Sequence, residues 1–203
     1  MKRPLRLLRL KCTMNSGKNK KSALRAEIKR RELEISDDYI RMSNEGIFKN
    51  VISMPEYQNS GNVFAYLSVG YEADTRKIIE HALENGKKVA LPLIVSDGIM
   101  EARVISSLTE LESGRFDIPA PTADSEILYP NELDMIIVPA AAFDLEGRRL
   151  GKGGGYYDRY LAGTKAFTVG LAREEMLLEE IPMEEHDINV KCVVTEKRIA
   201  RLI

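Results

Sequence analysis

The residues with the most chemical content lie between Phe143 and Tyr160, which read FDLEGRRLGKGGGYYDRY. Three successive glycines, Gly153, Gly154 and Gly155, let backbone N–H groups approach an anion with no side chain in the way. Arg148, Arg149 and Lys152 place cations in the same loop. A helix starting near Gly155 adds unpaired N–H donors and the positive end of its dipole. Asp158 lies about one turn into that helix, where a carboxylate can hold a metal. The stretch reads as a site for a polyphosphate with its magnesium. It is neither standard phosphate loop. A P-loop needs four residues between its glycines and a Ser or Thr after the Lys, whereas Gly153 follows Lys152; the dinucleotide fingerprint is missed because Gly151, Gly153 and Gly155 alternate. The alternative is a flexible surface loop with solvated arginines, which the flanking strand and helix argue against.

Other side chains are open to two readings at this level. Glu72 follows a strand, and either hydrogen-bonds an N–H-rich heterocycle or holds a cationic group, or is a solvated loop carboxylate. Lys21 and Arg25, four apart, share one helical face and either grip an anion together or make an ordinary basic face. His186 and Asp187 form a candidate metal pair, or Asp187 ligates alone. His81 has no carboxylate partner nearby and reads as structural. Tyr156 and Tyr157 either cover a ring or pack their helix onto a sheet. Two histidines without a cysteine cluster make no zinc site, and no nucleophile elbow is present.

Periodicity supplies the elements that must position these groups. Leu24, Ile28, Leu33 and Ile35 form one side of a helix starting at Lys21, and Ser36 with Asp37 and Asp38 caps a second. Residues 62–68 read as a strand, 75–85 as a helix stopped by Gly86, 88–94 as a strand broken by Pro92, and 98–105 as its antiparallel partner. Residues 106–133 read as a long irregular connection. Met135 to Val138 is a buried strand closed by Pro139; further strands are expected at 167–171, 193–195 and 199–203, with a helical turn within 173–180. The pattern predicts one α/β domain, a mostly parallel mixed sheet between helical layers. Ligands bind such sheets beyond the carboxyl ends of the strands, so the turn at Glu72, the glycine loop and the turn after Leu171 should meet.

Composition agrees. The chain has 203 residues, 44% hydrophobic and 30% charged, with net charge −1. That fits one sizeable core and gives no global case for nucleic acid. No stretch approaches the roughly 18 apolar residues of a membrane helix. Cys12 and Cys192 read as free thiols, and the expected compartment is the cytoplasm. Residues 1–21 carry eight Lys or Arg and no acid. Residues 1–20 are read as a basic, disordered extension with Met14 as a candidate start, and residues 21–203 as the domain.

The segment from Phe143 to Leu161 closely resembles the signature of the 5-formyltetrahydrofolate cyclo-ligase (methenyltetrahydrofolate synthetase) family. KSALR, YLSVGYEADT, DMIIVPAAAFD, LEEIPMEEHD and VVTE occur in the family's order, so the resemblance spans about residues 21–196. It implies an enzyme that converts 5-formyltetrahydrofolate and ATP, with Mg²⁺, to 5,10-methenyltetrahydrofolate, ADP and phosphate. The formyl oxygen would attack the γ-phosphorus, N10 would then close the ring, and phosphate would leave. By position, the resemblance assigns Lys21, Ser22, Ala23, Leu24 and Arg25 to ATP, with Arg149, Leu150, Gly151, Lys152, Gly153, Gly154, Gly155, Tyr156 and Tyr157. The folate falls to Leu67, Glu72 and Lys152 through Tyr156. Arg149, Lys152 and Tyr156 would act in catalysis, and Asp158 and Asp187 would hold magnesium. A monomer is expected. The chain departs from the family pattern at Lys152, where Arg is usual, at Arg173, Glu175 and Met176, and at Lys191.

Two other classes compete. A sugar-phosphate isomerase or acyl-CoA transferase on a related scaffold would need a catalytic carboxylate and no nucleotide. A non-enzymatic folate-binding or RNA-contacting module would bind without releasing ADP.

Overall fold

The computed structural model describes residues 17–202, with side chains from Lys20 onward. Most of the expected basic extension, including Cys12 and Met14, lies outside the described residues. Its last residues belong to helix α1 (Gly17–Glu32), which begins before Lys21. Helices α2 (Asp37–Ser53) and α3 (Pro55–Gln58) follow. Ser36 caps α2 as its sequence predicts, its Oγ accepting from the Tyr39 amide at 3.3 Å.

The next elements are β1 (Asn62–Phe64), α4 (Arg76–Glu84), β2 (Lys88–Ser96), β3 (Ile99–Ile105), β4 (Glu112–Ser113), β5 (Pro119–Ala120) and β6 (Ile127–Leu128). They lead to β7 (Met135–Val138), a hairpin of β8 (Ala142–Phe143) and β9 (Arg149–Leu150), α5 (Tyr156–Leu161), β10 (Phe167–Leu171), β11 (Cys192–Val194) and β12 (Ile199–Arg201). The main sheet has eight strands in the order β12-β11-β10-β7-β1-β2-β3-β6. Strands β11, β10, β7, β1 and β2 are parallel, and β12, β3 and β6 add antiparallel edges.

Both faces of the sheet are covered, as its unbroken apolar runs require. Along β7, Met135 and Ile137 pack with Ile47, Val51, Ile78 and Ile79 of α2 and α4. Ile136 and Val138 pack on the opposite face with Phe143, Leu161 and the α5 tyrosines. Helix α1 instead docks on the β8–β9 hairpin, where Leu24 and Ile28 meet Ala142, Leu150 and Met176. Ile28 is 1% exposed, and trimming such a side chain to Ala costs about 2–5 kcal/mol. That contact is what brings the basic face of α1 to the glycine loop.

The strand expected over 62–68 stops at Phe64. Beyond it, Thr75 Oγ1 donates to the Tyr66 carbonyl at 2.7 Å and accepts the Ser68 amide at 3.1 Å, so the chain peels away into a turn. Strand β2 is not broken at Pro92; it continues to Ser96, with Pro92 opposite Ala102 of β3. Pairing with β1 ends at Ala90, so Pro92 has a strand on one side only, where its missing N–H is tolerated. Residues 106–133 are less irregular than expected, because β4 pairs with β5 and β6 joins the main sheet. The turn within 173–180 is a 3₁₀ turn, Glu174–Met176.

Candidate active site

Strand β1 has β7 on one side and β2 on the other, so the direction of winding reverses between β1 and β7. A crevice is expected outside the carboxyl ends at such a point. A cleft of about 350 Å³ lies there. Val69–Ala73 after β1, Ala140–Phe143 after β7 and Leu171–Arg173 at the end of β10 line it, and α1 closes it with Arg25, Lys29 and Glu32. The three turns meet as the strand pattern requires.

The glycine loop joins β9 to α5. Gly153 has φ +105° and Gly155 φ +65°, conformations that L side chains rarely adopt, so the loop needs glycine at both positions. Arg25 Nε donates to the Gly151 carbonyl at 2.7 Å, which fixes the loop against α1. Lys152 Nζ lies 2.6 Å from Glu72 Oε1. The other oxygen of Glu72 accepts the Val69 amide at 2.9 Å, so the carboxylate closes its own turn while facing the loop.

The cations do not all face the loop. Asp144, fully buried, accepts the amides of Glu146, Arg148 and Ile181 and the Arg148 Nε at 2.6 Å. Arg148 is therefore spent on shaping the β8–β9 hairpin, with Glu180 also near it, and the expectation of three loop cations reduces to Arg149 and Lys152. Arg149 is buried. Its Nη2 donates to Asp158 Oδ1 at 2.5 Å, and its Nε has no partner among the described residues. Asp158 is thus held by Arg149 at the foot of the loop. Helix α5 has six residues, which leaves the glycine-loop backbone and Lys152 as the main anion donors.

Asp187 sits apart from Asp158 in its partners. Its Oδ2 pairs with the Lys21 ammonium and accepts the Glu184 amide at 2.6 Å, and Lys21 reaches Glu184 Oε2 at 2.9 Å. Burial pulls the Lys21 ammonium down, but its hydrogen bonds to Asp187 and Glu184 outweigh that and hold its pKa above the ordinary value. Burial pushes the Asp187 carboxyl up, but Lys21 outweighs that and holds it below the ordinary value. Glu184, His186 and Asp187 offer ligand atoms within 4.8 Å of one another.

Of the remaining expected residues, Leu24 and Leu150 pack α1 onto the hairpin, and Ser22 and Ala23 lie on the exposed face of α1. Leu67 is buried in the main core beneath the turn and does not line the cleft. Tyr156 lies under Arg159, whose guanidinium carbon is 5.7 Å from the ring centre. Tyr157 stacks on Phe64 at 6.1 Å. Its hydroxyl is buried with no partner among the described residues, and burial drives its pKa far upward with the Glu72 charge adding. His81 accepts or donates to Tyr57 Oη at 2.8 Å and edges Phe48, a packing role. Lys191 ties down the carbonyls of Lys165 and Ala166.

Arg173, marked in the sequence as a departure within the turn after Leu171, lines the cleft, whereas sequence reasoning missed Glu32 there. Glu32 is half-buried, and burial raises its pKa while Lys152 opposes the rise. Neither helical period nor composition marks it, since it sits in a run of charges.

Residues 17–196, all of this framework except β12, match one family, described as the 5-formyltetrahydrofolate cyclo-ligase family. The chain belongs to that family. Similar proteins include a mouse 5-formyltetrahydrofolate cyclo-ligase, 33% identical, with 91% of this chain and 96% of that protein covered. One from Escherichia coli is 35% identical over 73% of this chain and 85% of its own length. The solution structure of Aquifex aeolicus 5,10-methenyltetrahydrofolate synthetase superposes with a TM-score of 0.80 at 35% identity, covering 90% of this chain and 92% of that one. This cyclo-ligase family member is accordingly an enzyme of the ligase class, built as a single α/β domain. Among the described residues, no helix is long and apolar enough to cross a membrane.

Proposed function

We propose that the cleft converts 5-formyltetrahydrofolate and ATP to 5,10-methenyltetrahydrofolate, ADP and phosphate, as a monomer in the cytoplasm. The observation that carries this reading is the Lys152–Glu72 pair, where a cation of the glycine loop meets a carboxylate at the carboxyl edge of the sheet at 2.6 Å. Phosphoryl transfer depends on positioning and charge neutralisation more than on a covalent catalyst. A loop of free N–H groups with Lys152 and Arg149 supplies that to the ATP phosphates. Glu72 takes N–H groups of the reduced pterin when Lys152, about half exposed, turns to the phosphate. Tyr156 covers the ring edge.

In this reading the formyl oxygen attacks the γ-phosphorus and ADP departs, leaving a phosphorylated imidate at N5. N10 adds to the activated carbon, phosphate leaves with the former formyl oxygen, and N10 loses its proton. The residues fit magnesium. Glu184 and Asp187 already enclose the Lys21 ammonium, and carboxylate oxygens suit a hard cation. Asp158 keeps one oxygen outside its bond to Arg149. Asp158 and Asp187 would hold Mg²⁺, which would supply charge neutralisation for the ATP phosphates.

The test is a spectrophotometric assay on the purified protein with 5-formyltetrahydrofolate and Mg²⁺, with and without ATP. Near-ultraviolet absorbance of the methenyl product that rises only with ATP is the expected result. A folded protein that binds ATP yet yields no such product would overturn the reading.

A further inference from the structure

Arg173 follows β10 at the carboxyl edge of the sheet and is only 3% exposed. Its Nη1 donates to Asn44 Oδ1 of α2 at 2.9 Å, and its Nη2 donates to the Glu72 carbonyl at 3.1 Å. Asn44 Oδ1 also accepts the Asp74 amide at 3.2 Å. The guanidinium therefore ties the Glu72 end of the turn directly to the end of β10, and shares the Asn44 oxygen of α2 with the Asp74 end. It also stands in the wall between the cleft and an adjoining cavity of about 360 Å³ lined by Asn44, Ser68, Asp74 and Arg76.

This arrangement is costly. The Arg173 Nε is buried with no partner among the described residues, and a buried donor left unmade loses its hydration for nothing in return. Burial is also the main reason that the guanidinium's pKa lies below its ordinary value, although Tyr66, Tyr39, Glu196 and Asp74 oppose the shift. An apolar side chain of similar length would fill the space without that penalty, because replacing buried charge by packed hydrocarbon is often neutral or stabilising. Packing alone gives no reason for an arginine here. The position of the Glu72 backbone does.

We infer that Arg173 is a positioning residue that holds the Val69–Asp74 turn so that the Glu72 carboxylate stays on the cleft wall, and that it thereby sets affinity for the reduced folate rather than for ATP. Only the naming of the two ligands rests on the proposed function. The geometric half, a turn fixed by a buried guanidinium, stands without it.

The experiment compares wild type, Arg173→Met and Arg173→Lys as full-length chains, by amide hydrogen exchange, thermal melting and steady-state kinetics. Val69, Glu72 and Asp74 are the reporting amides, because the first two are bonded within this turn and the third to the Asn44 oxygen that Arg173 also holds. For Arg173→Met the melting temperature should hold or rise, while those three amides exchange about tenfold faster than the rest of the chain would suggest. The KM for 5-formyltetrahydrofolate should rise about tenfold, with the KM for ATP moving less than about twofold. Arg173→Lys, which keeps the charge without the fork, should fall between the two. Unchanged exchange in the turn overturns the inference. So does a lowered melting temperature with exchange raised throughout and both KM values rising together, which would mark a structural role. If Arg173→Met does not fold, Arg173→Lys decides, since local acceleration supports the inference and global acceleration refutes it. A wild type that forms no methenyl product fails the proposed function alone, and the exchange comparison still decides whether Arg173 holds the turn.

Discussion

Lys152 and Glu72, from the glycine loop and from the turn after β1, meet at 2.6 Å across the mouth of the cleft. Each comes from a different wall of the cleft, and each balances the other's charge. Lys152→Ala should leave real but reduced activity, with kcat/KM lower by roughly 10–100-fold, the worth of one charge-assisted contact. Glu72→Gln should lose a comparable factor, chiefly in KM for the folate. Unchanged turnover in Lys152→Ala would show that the loop backbone suffices.

Arg149 is buried and Asp158 partly buried, with side chains 5% and 15% exposed. Asp158→Asn leaves a guanidinium without its counter-charge, which costs about 3–5 kcal/mol in such settings. Urea denaturation should show that loss as a lower midpoint. A midpoint unchanged from wild type would mean that water reaches Arg149 freely.

The Lys21–Asp187 pair predicts a pH signature. Asp187 is held below its ordinary 3.8, so its contribution is present above 3.8 and disappears as pH falls through its lower folded value. Lys21 is held above its ordinary 10.5, so its contribution is present below 10.5 and disappears as pH rises through its higher folded value. The stability difference between wild type and Asp187→Asn should therefore be flat at neutral pH, about 2–3 kcal/mol, shrink on the acid side of 3.8, and shrink again above 10.5 as Lys21 loses its proton. Urea midpoints at neutral and strongly acid pH would check this; a difference that persists in acid would assign it to packing.

Gly170 of β10 lies directly under the ring of Phe143, and a Cβ there would press into that ring. Phe143 is part of the β8–β9 hairpin that carries the glycine loop. Gly170→Ala should cost about 1–3 kcal/mol through overpacking. Thermal melting should show the loss, and Phe143→Leu in the same chain should recover part of it. Additive losses in the double variant would contradict the contact.

Local chemistry made several elements legible in the amino-acid order. Ser36 marks the start of α2, the four apolar residues Met135 to Val138 mark a strand buried on both faces, and Gly86, at φ +71°, marks the end of α4. The alternation of strands and helices also required the Glu72 turn, the glycine loop and the turn after Leu171 to share one edge. These are short-range signals, set by capping, period and backbone freedom within a few residues. The partners of charged groups were decided elsewhere. Arg148 and Arg149 are adjacent in the chain, yet one turns to buried Asp144 and the other to Asp158. Their directions depend on the pleat of β9 and on what lies over each face, which sequence spacing does not encode. Glu32 and Arg173 entered the cleft for the same reason. A solvated charge and a buried one look alike in sequence, and only the packing of α1, α2 and β10 around the Glu72 turn determined which they would be.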